Sequence, residues 1–525
     1  MSQSVESISQ KIQAIAGSRK FFIFILAIFI VQAIIFAVIV PTSQQRVRED
    51  GYTARTSGIV PDGHRHIGAM YLYAEQPLLN GPFIADMDES DLWMGDLVRF
   101  PSYFYQYLMS FPVRVMTAVG ASDQAIVMTI RLIGILIGLA ALIIFRKIAL
   151  EVRAGRVVAN LATLSLALTG SFVYLSPAEN YDVSALALFF GFMLASIRLY
   201  TRRNWLYLYW MLVTFLFLGI TKYTYIPFAG LAGLAVVTIA VWQVGYARAW
   251  SQLGQQWRAV FRALSRWKLI GLTVLLLIGG GLFAERIGGN LVTYRSFNPN
   301  CARLHSHEAC MRFGVYARNY NRGVEVDAQP AGSFHFQPID YAGQWIARYF
   351  SSMYMYLGHI WIYDVTRIYS IVGVASLMVV LAIVGYGKFR KVKLLPTAGQ
   401  RLVLATALLT IVAQIGFNLN TVFTYHGSLY AHQGRYLMAA AGFLYIVLLV
   451  MMARSLSVMS RRHQAQAKLA LAVFAVVALI AMSPLLSYWL HAWSPEWYSL
   501  GIRGVLPGWW FDVREFVFYD LIGKY

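Results

Sequence analysis

The twenty residues Phe21-Phe-Ile-Phe-Ile-Leu-Ala-Ile-Phe-Ile-Val-Gln32-Ala-Ile-Ile-Phe-Ala-Val-Ile-Val40 decide what kind of protein this is. Only Gln32 interrupts the apolar run, and Pro41 ends it. A hydrocarbon core of about 30 Å is crossed by roughly 20 such residues in a helix. The run follows Lys11, Arg19 and Lys20, and no small-residue cleavage site comes after it. It is also too long for the apolar part of a secretory signal, so it reads as an uncleaved first membrane helix. Similar runs lie at about 125–145, 157–175, 183–200, 205–221, 224–244, 269–285, 368–387, 402–419, 436–453 and 469–490. The expectation is an all-α polytopic integral membrane protein with about 11 transmembrane helices.

Composition agrees. Of 525 residues, 58% are hydrophobic and 13% charged, the latter about half the roughly 25% of soluble domains. A disordered chain needs the opposite balance. The net charge of +20 would suit a nucleic-acid partner, but its distribution says otherwise. The segments 1–20, 146–156, 202–204, 246–268, 388–401 and 454–468 hold 23 Lys and Arg against two acids, Glu6 and Glu151. Everything else holds 21 basic and 22 acidic residues. By the positive-inside rule those six segments are cytoplasmic. The N-terminus is then inside, the C-terminus outside, and the basic excess reports topology with no nucleic acid involved.

This threading divides the chain into a transmembrane domain, 1–490, and an extracytoplasmic tail, 491–525. Two long extracytoplasmic loops, about 41–123 and 286–366, are joined by a shorter one at about 420–434. In the first loop Ile67 to Leu79 and Ser102 to Val119 are amphipathic, as short interfacial helices are. No internal repeat of the kind many transporters carry is visible.

Both cysteines, Cys301 and Cys310, fall in the second long loop. An oxidising exterior permits a disulfide there, and free thiols are the alternative. His305, His307 and Glu308 between them match no zinc spacing.

Some polar residues are not explained by membrane insertion. In Pro61-Asp62-Gly63-His64-Arg65-His66, Asp62 stands where it would cap a short interfacial helix. Alternatively, an acid beside two imidazoles at a membrane surface can take a proton. Asp86, Asp88, Glu89, Asp91 and Asp96 form an acidic stretch, either a solvated face or a divalent-cation site. In His432-Gln433-Gly434-Arg435-Tyr436, Arg435 either snorkels to headgroups or clamps a phosphate. Lys222, in Thr221-Lys222-Tyr223-Thr224-Tyr225-Ile226-Pro227, has the same two readings. Glu179-Asn180-Tyr181-Asp182 closes another outer hairpin. Charges at such a boundary are expensive and mark functional sites. Arg131 is the one clear charge in mid-helix; a transporter or flippase of lipid-linked glycans would show more.

In these four elements, in this order, the sequence resembles the glycosyltransferase-C superfamily, most closely a bacterial branch related to the protein O-mannosyltransferases. That branch shows a Pro-Asp-Glu-x-x-His element, and here Gly63 replaces the Glu. Its Asn-x-Asp, Thr-Lys-x-x-Tyr-x-Pro and Gln-Gly-Arg-Tyr elements correspond to Asn180 to Asp182, Thr221 to Pro227 and Gln433 to Tyr436. The resemblance implies an enzyme moving a sugar from a polyprenyl-phosphate donor to a glycan, lipid or exported-protein acceptor, at the outer face of a bacterial inner membrane. Asp62 would be the base, helped by His66, while Arg435 and Lys222 would hold the donor phosphate. His64, Asp182, Gln433 and Tyr436 would line the substrate site. Without the second acid at position 63, a metal-independent reaction with anomeric inversion is favoured over one using a divalent cation.

Overall fold

Apolar side chains repeated without polar interruption leave helix as the backbone's way to satisfy its own hydrogen bonds in lipid, and a computed structural model of the chain is built almost wholly of helices. It describes residues 2–41, 45–47, 53–55, 62–77, 81–84, 97–263, 265–330, 332–354, 366–427, 432–481, 483–491, 499 and 509. The acidic stretch 86–96 and nearly all of the tail 491–525 lie outside the described residues.

Helices α1 (Ser2–Ala16) and α2 (Arg19–Ile39) open the chain. The first long loop carries a small ribbon, β1 (Gln45–Val47) antiparallel to β2 (Thr53–Arg55). Then come α3 (Gly63–Glu75) and α4 (Phe104–Ala118), close to the two amphipathic stretches read from sequence. The bundle continues with α5 (Asp123–Glu151), α6 (Arg156–Ala167), α7 (Gly170–Leu175), α8 (Asp182–Arg202), α9 (Leu206–Thr221) and α10 (Ile226–Val244). Next are α11 (Tyr246–Ala263), α12 (Arg266–Phe283) and α13 (Gly289–Tyr294), the last two fused through a π-turn at Ala284–Gly288. The second long loop folds as α14 (His307–Cys310), α15 (Gly314–Asp327) and α16 (Pro338–Tyr354). Last come α17 (Thr366–Phe389), α18 (Ala398–Thr424), α19 (Met438–Leu456), α20 (Arg461–Ala481) and α21 (Pro484–His491).

Among the described residues seven helices are long and apolar enough to cross a membrane, and three shorter apolar helices accompany them. The run 157–175 is not one continuous helix. It breaks between α6 and α7, where the Thr169 hydroxyl donates to the Ser165 carbonyl at 2.9 Å and lies 3.0 Å from the Tyr445 hydroxyl. The run 469–490 divides before Pro484, which has no N–H to give and disfavours helix in the residue before it. The helix expected to end near 285 runs on to Tyr294.

Helix α8 is the most enclosed span and packs between α5 and α9. Phe190 stands 5.1 Å from Phe145 on α5 and 5.6 Å from Phe443 on α19, tilted ring against tilted ring. On α12, by contrast, Trp267, Ile270, Val274 and Leu277 face outward, the surface a membrane helix gives to lipid.

Arg131 on α5 is fully enclosed but not free. Its Nε meets Glu179 Oε1 at 2.6 Å. Its other nitrogens donate to the carbonyls of Ala37, Val40 and Pro41 at 2.5, 2.8 and 3.3 Å. These are carbonyls that the end of α2 leaves without helical donors. The charge that sequence alone left as a possible transport feature is therefore a tie between α5, the α7–α8 corner and the end of the first membrane helix. Glu179→Gln leaves a buried guanidinium without its counter-charge, a loss of about 3–5 kcal/mol. We expect a clear drop in the thermal unfolding midpoint in detergent; an unchanged midpoint would show that the pair does not hold this corner.

Candidate functional site

Helices α8, α9 and α19 and the first-loop helix α3 bring four charged residues to one end of the bundle. Asp182 is the first residue of α8, and its N–H donates to Asn180 Oδ1 at 2.8 Å, a local turn that starts the helix. Lys222 follows the last residue of α9. Arg435 sits in a single 3-10 turn, Gly434–Leu437, that leads into α19. Asp62 stands just before α3 with φ 56, a left-handed conformation that Asp tolerates better than most residues.

The charges interlock. Lys222 Nζ donates to Asp182 Oδ1, and Arg435 Nη1 donates to Asp182 Oδ2 at 3.2 Å. Arg435 Nη2 lies 3.6 Å from Asp62 Oδ2 and donates to the Tyr436 hydroxyl at 3.1 Å. The remaining guanidinium donor, Arg435 Nε, is buried with no hydrogen-bond partner among the described residues. Lys222 Nζ lies 4.8 Å from the Tyr436 ring centre and 5.5 Å from that of Tyr181, within cation–π range. Asp182, Lys222 and Arg435 are all buried. The Asp62 side chain is 36% exposed, so it is the member of the set that reaches water.

Asp62 occupies the helix-cap position, yet its side chain makes no capping bond. It is turned to Arg435 instead, so the capping reading is replaced by an electrostatic one. His66, one turn further along α3, is buried, and its backbone N–H donates to the Asp62 carbonyl at 3.0 Å. Its ring stands edge-on to Tyr181 at 4.7 Å. Gln106 on α4 fixes its tautomer. With the amide oxygen accepting from Nδ1–H at 2.7 Å, the amide nitrogen donates to the Ser102 and Tyr103 carbonyls, both at 3.0 Å. Burial, only partly opposed by Asp62, pushes the ring's pKa down to about 3. His66 is thus a buried, neutral imidazole whose backbone N–H closes the Asp62 turn. His64 is half-buried on the same turn. Gln433 is half-buried in extended backbone just before Gly434, and its carbonyl accepts from the Tyr436 N–H at 3.1 Å.

Gly434 explains part of the Gln-Gly-Arg-Tyr element. A Cβ there would lie 2.4 Å from the backbone nitrogen of Met353 on α16. The Gly434 N–H donates to the Ser352 hydroxyl at 2.6 Å. Two residues beyond the sequence motifs therefore support the site, Gln106 and Ser352. A lone Gln on an amphipathic helix gives no sequence signal, and Ser352 is one hydroxyl among many.

Cys301 and Cys310 are bridged, with Cα atoms 5.7 Å apart. Next to them Phe313 packs against Arg65, whose guanidinium stands 5.0 Å from that ring and 4.4 Å from Phe100. The stapled turn is thereby docked on α3, the helix that follows Asp62. Among the described residues no three carboxylate, imidazole or thiol groups converge as metal ligands. Both carboxylates at the site face Arg435, a poor arrangement for a divalent cation.

No protein-family model matches the sequence, and no curated protein sequence is significantly similar to it. Among the solved structures to which the chain is similar are those of the oligosaccharyltransferase AglB of Archaeoglobus fulgidus. One is a complex with an inhibitory peptide and a dolichol-phosphate: 14% identity, TM-score 0.41, 90% of this chain covered. The apo form gives 13%, 0.41 and 91%. A form tethered to an acceptor peptide containing the sequon NVT gives 14%, 0.38 and 91%. The chain spans 57–58% of the length of these structures. The functional reading rests on the site geometry.

Two outcomes test that geometry. Gly434→Ala should push the 3-10 turn off α16 and move Arg435, lowering both the unfolding midpoint and any binding of phosphate-bearing lipid; a neutral effect on both would contradict the close approach. His66 gives a pH test. In the unfolded chain the imidazole takes a proton near pH 6.5, whereas in the fold it stays neutral down to about 3. Stability from this residue is therefore complete above pH 6.5 and falls as pH drops toward 3, by about 2 kcal/mol at pH 5. Unfolding midpoints measured from pH 7 to pH 5 should decline less steeply in His66→Gln than in the wild type. Parallel slopes would show that His66 is not buried as described.

Proposed function

We propose that the chain is a membrane glycosyltransferase of the glycosyltransferase-C type. It would transfer a sugar from a polyprenyl-phosphate donor to an acceptor hydroxyl on a glycan, lipid or exported protein. The reaction would take place at the extracytoplasmic face of a bacterial inner membrane. The observation that carries this reading is the Asp62–Arg435–Asp182–Lys222 cluster. It combines one water-accessible carboxylate with two buried cations.

The donor phosphate competes with Asp62 for Arg435, whose unspent Nε–H offers a further contact, and Lys222 stands behind it. Asp182 holds both cations in place, and preorganised charges aimed at a leaving group are often the largest catalytic effect. A carboxylate released from a guanidinium is a better base than a paired one. Asp62 then removes the acceptor hydroxyl proton as that oxygen bonds to the anomeric carbon. The bond from that carbon to the phosphate oxygen breaks through an oxocarbenium-like state. Its electron pair leaves with the polyprenyl phosphate, next to Arg435 and Lys222. A single displacement inverts the anomeric centre. Gln433, His64 and Tyr436, around the rim of the cluster, would contact the sugar.

Transport is the weaker reading, since the mid-helix cation Arg131 is consumed by Glu179 and three carbonyls. Asp62→Asn should lower transfer about 10²–10⁴-fold, the usual worth of a general base, with the unfolding midpoint nearly unchanged. The measurement is release of polyprenyl phosphate by purified protein on addition of acceptor. Near-wild-type turnover in this variant would remove Asp62 from the reaction.

A further inference from the structure

A second concentration of charge lies at the other end of the same helices. Helix α8 starts at Asp182 and ends at Arg202, a rise of about 30 Å. Around its far end is a cavity of about 930 Å³, walled by the ends of α5, α8 and α10 and by the start of α18. Five basic side chains line it, Lys147, Arg153, Arg198, Arg202 and Arg203, against the single carboxylate of Glu151.

Glu151 orders two of the cations. Arg202 Nε and Nη2 donate to its two oxygens, both at 2.7 Å, and Arg198 Nε donates at 3.1 Å. Lys147, Arg153 and Arg203 are exposed. Arg153 and Arg203 follow the ends of α5 and α8 with φ 60 and 53, a conformation more easily taken by Gly or Asn. The fourth wall is the first turn of α18, where Ala398 and Gly399 line the cavity. By helix geometry their N–H groups have no intrahelical acceptor. A surplus of four positive charges thus surrounds a defined space, with a helix N-terminus on one side. Like charges so gathered repel one another unless an anion lies between them.

Basic residues needed only for topology require no such arrangement. Arg248 and Arg258 on the neighbouring α11 are exposed and line no part of this cavity. We propose that the cavity binds a phosphate group, presented by the headgroup of an anionic lipid or by a soluble phosphoanion. Its place at the ends of apolar, membrane-length helices fits the lipid source, since basic pockets between transmembrane helices take anionic headgroups.

The test uses the full-length protein in detergent. Native mass spectrometry would follow retention of phosphatidylglycerol against phosphatidylcholine, and calorimetry on lipid-stripped protein would follow inorganic pyrophosphate. The double variant Arg153→Asn/Arg203→Asn keeps residues that accept the left-handed conformation. It should weaken binding about tenfold or more, as expected for two lost charge-assisted contacts. Lys147→Gln, at an exposed helical position, should weaken it less and guards against misfolding of the double variant. Arg248→Asn/Arg258→Asn should leave binding unchanged. Dependence on the cavity seen with phosphatidylglycerol establishes the lipid source; the same dependence seen only with pyrophosphate establishes a soluble one. Equal affinity in the cavity variants and the wild type, or equal loss in the α11 variants, overturns the proposal.

Discussion

Asp182 between Lys222 and Arg435 is the contact on which one end of the bundle depends. Each of the three is buried, and a buried charge is tolerable only when paired. They begin, end and precede α8, α9 and α19 respectively, so pairing them fixes three helix ends at one point. The Phe145, Phe190 and Phe443 rings lower in the bundle add non-directional packing. Such packing holds helices side by side but sets their relative height poorly; the ion contacts supply the height. Arg131 does the same for α2 and α5 through Glu179 and three carbonyls.

Much of this was legible before any coordinates. A membrane forces long apolar runs, so Phe21 to Val40 and its counterparts name themselves as helices. The same expense of burying charge makes Asp62, Asp182, Lys222 and Arg435 conspicuous at helix ends. What sequence did not contain is who pairs with whom. Arg435 and Asp182 are 253 residues apart and Asp182 and Lys222 are 40 apart; only the stacking of helices brings them together. Asp62 shows the limit most clearly. Its position is that of a helix cap, as spacing suggested, but its side chain answers to Arg435, a partner that local pattern cannot reveal. Gln106 and Ser352 were illegible for a different reason: each is an ordinary polar residue whose role is set by one distant atom, His66 Nδ1 or the Gly434 N–H.

The two ends of the bundle handle charge in opposite ways. At the Asp62 end, two cations meet two carboxylates, and three of the four are enclosed. At the Glu151 end, five cations share one carboxylate around an open space. Both sets hang on α8, whose first and last residues belong to one set each. A balanced, largely buried cluster suits chemistry, because charges that need not reorganise act strongly in a low dielectric. An unbalanced, exposed one suits holding an anion at a membrane surface, where long-range attraction adds to contact.

The balance at the first cluster also fits the proposed reaction step by step. Before donor binding, Lys222, Arg435, Asp182 and Asp62 sum to zero. A sugar phosphodiester brings one negative charge. The neutral acceptor enters and the neutral glycoside leaves, while the phosphate becomes a monoester with a second negative charge. If the acceptor's proton went to bulk water, the site would have to hold an added charge away from solvent. Taken by Asp62, the proton neutralises one carboxylate as the phosphate gains its charge, and the net charge of the site is the same before and after the bond is made. That constancy requires a carboxylate beside Arg435 that is exposed enough to meet the acceptor, and of the two carboxylates in contact with Arg435, Asp62 is exposed while Asp182 is enclosed by its two cations.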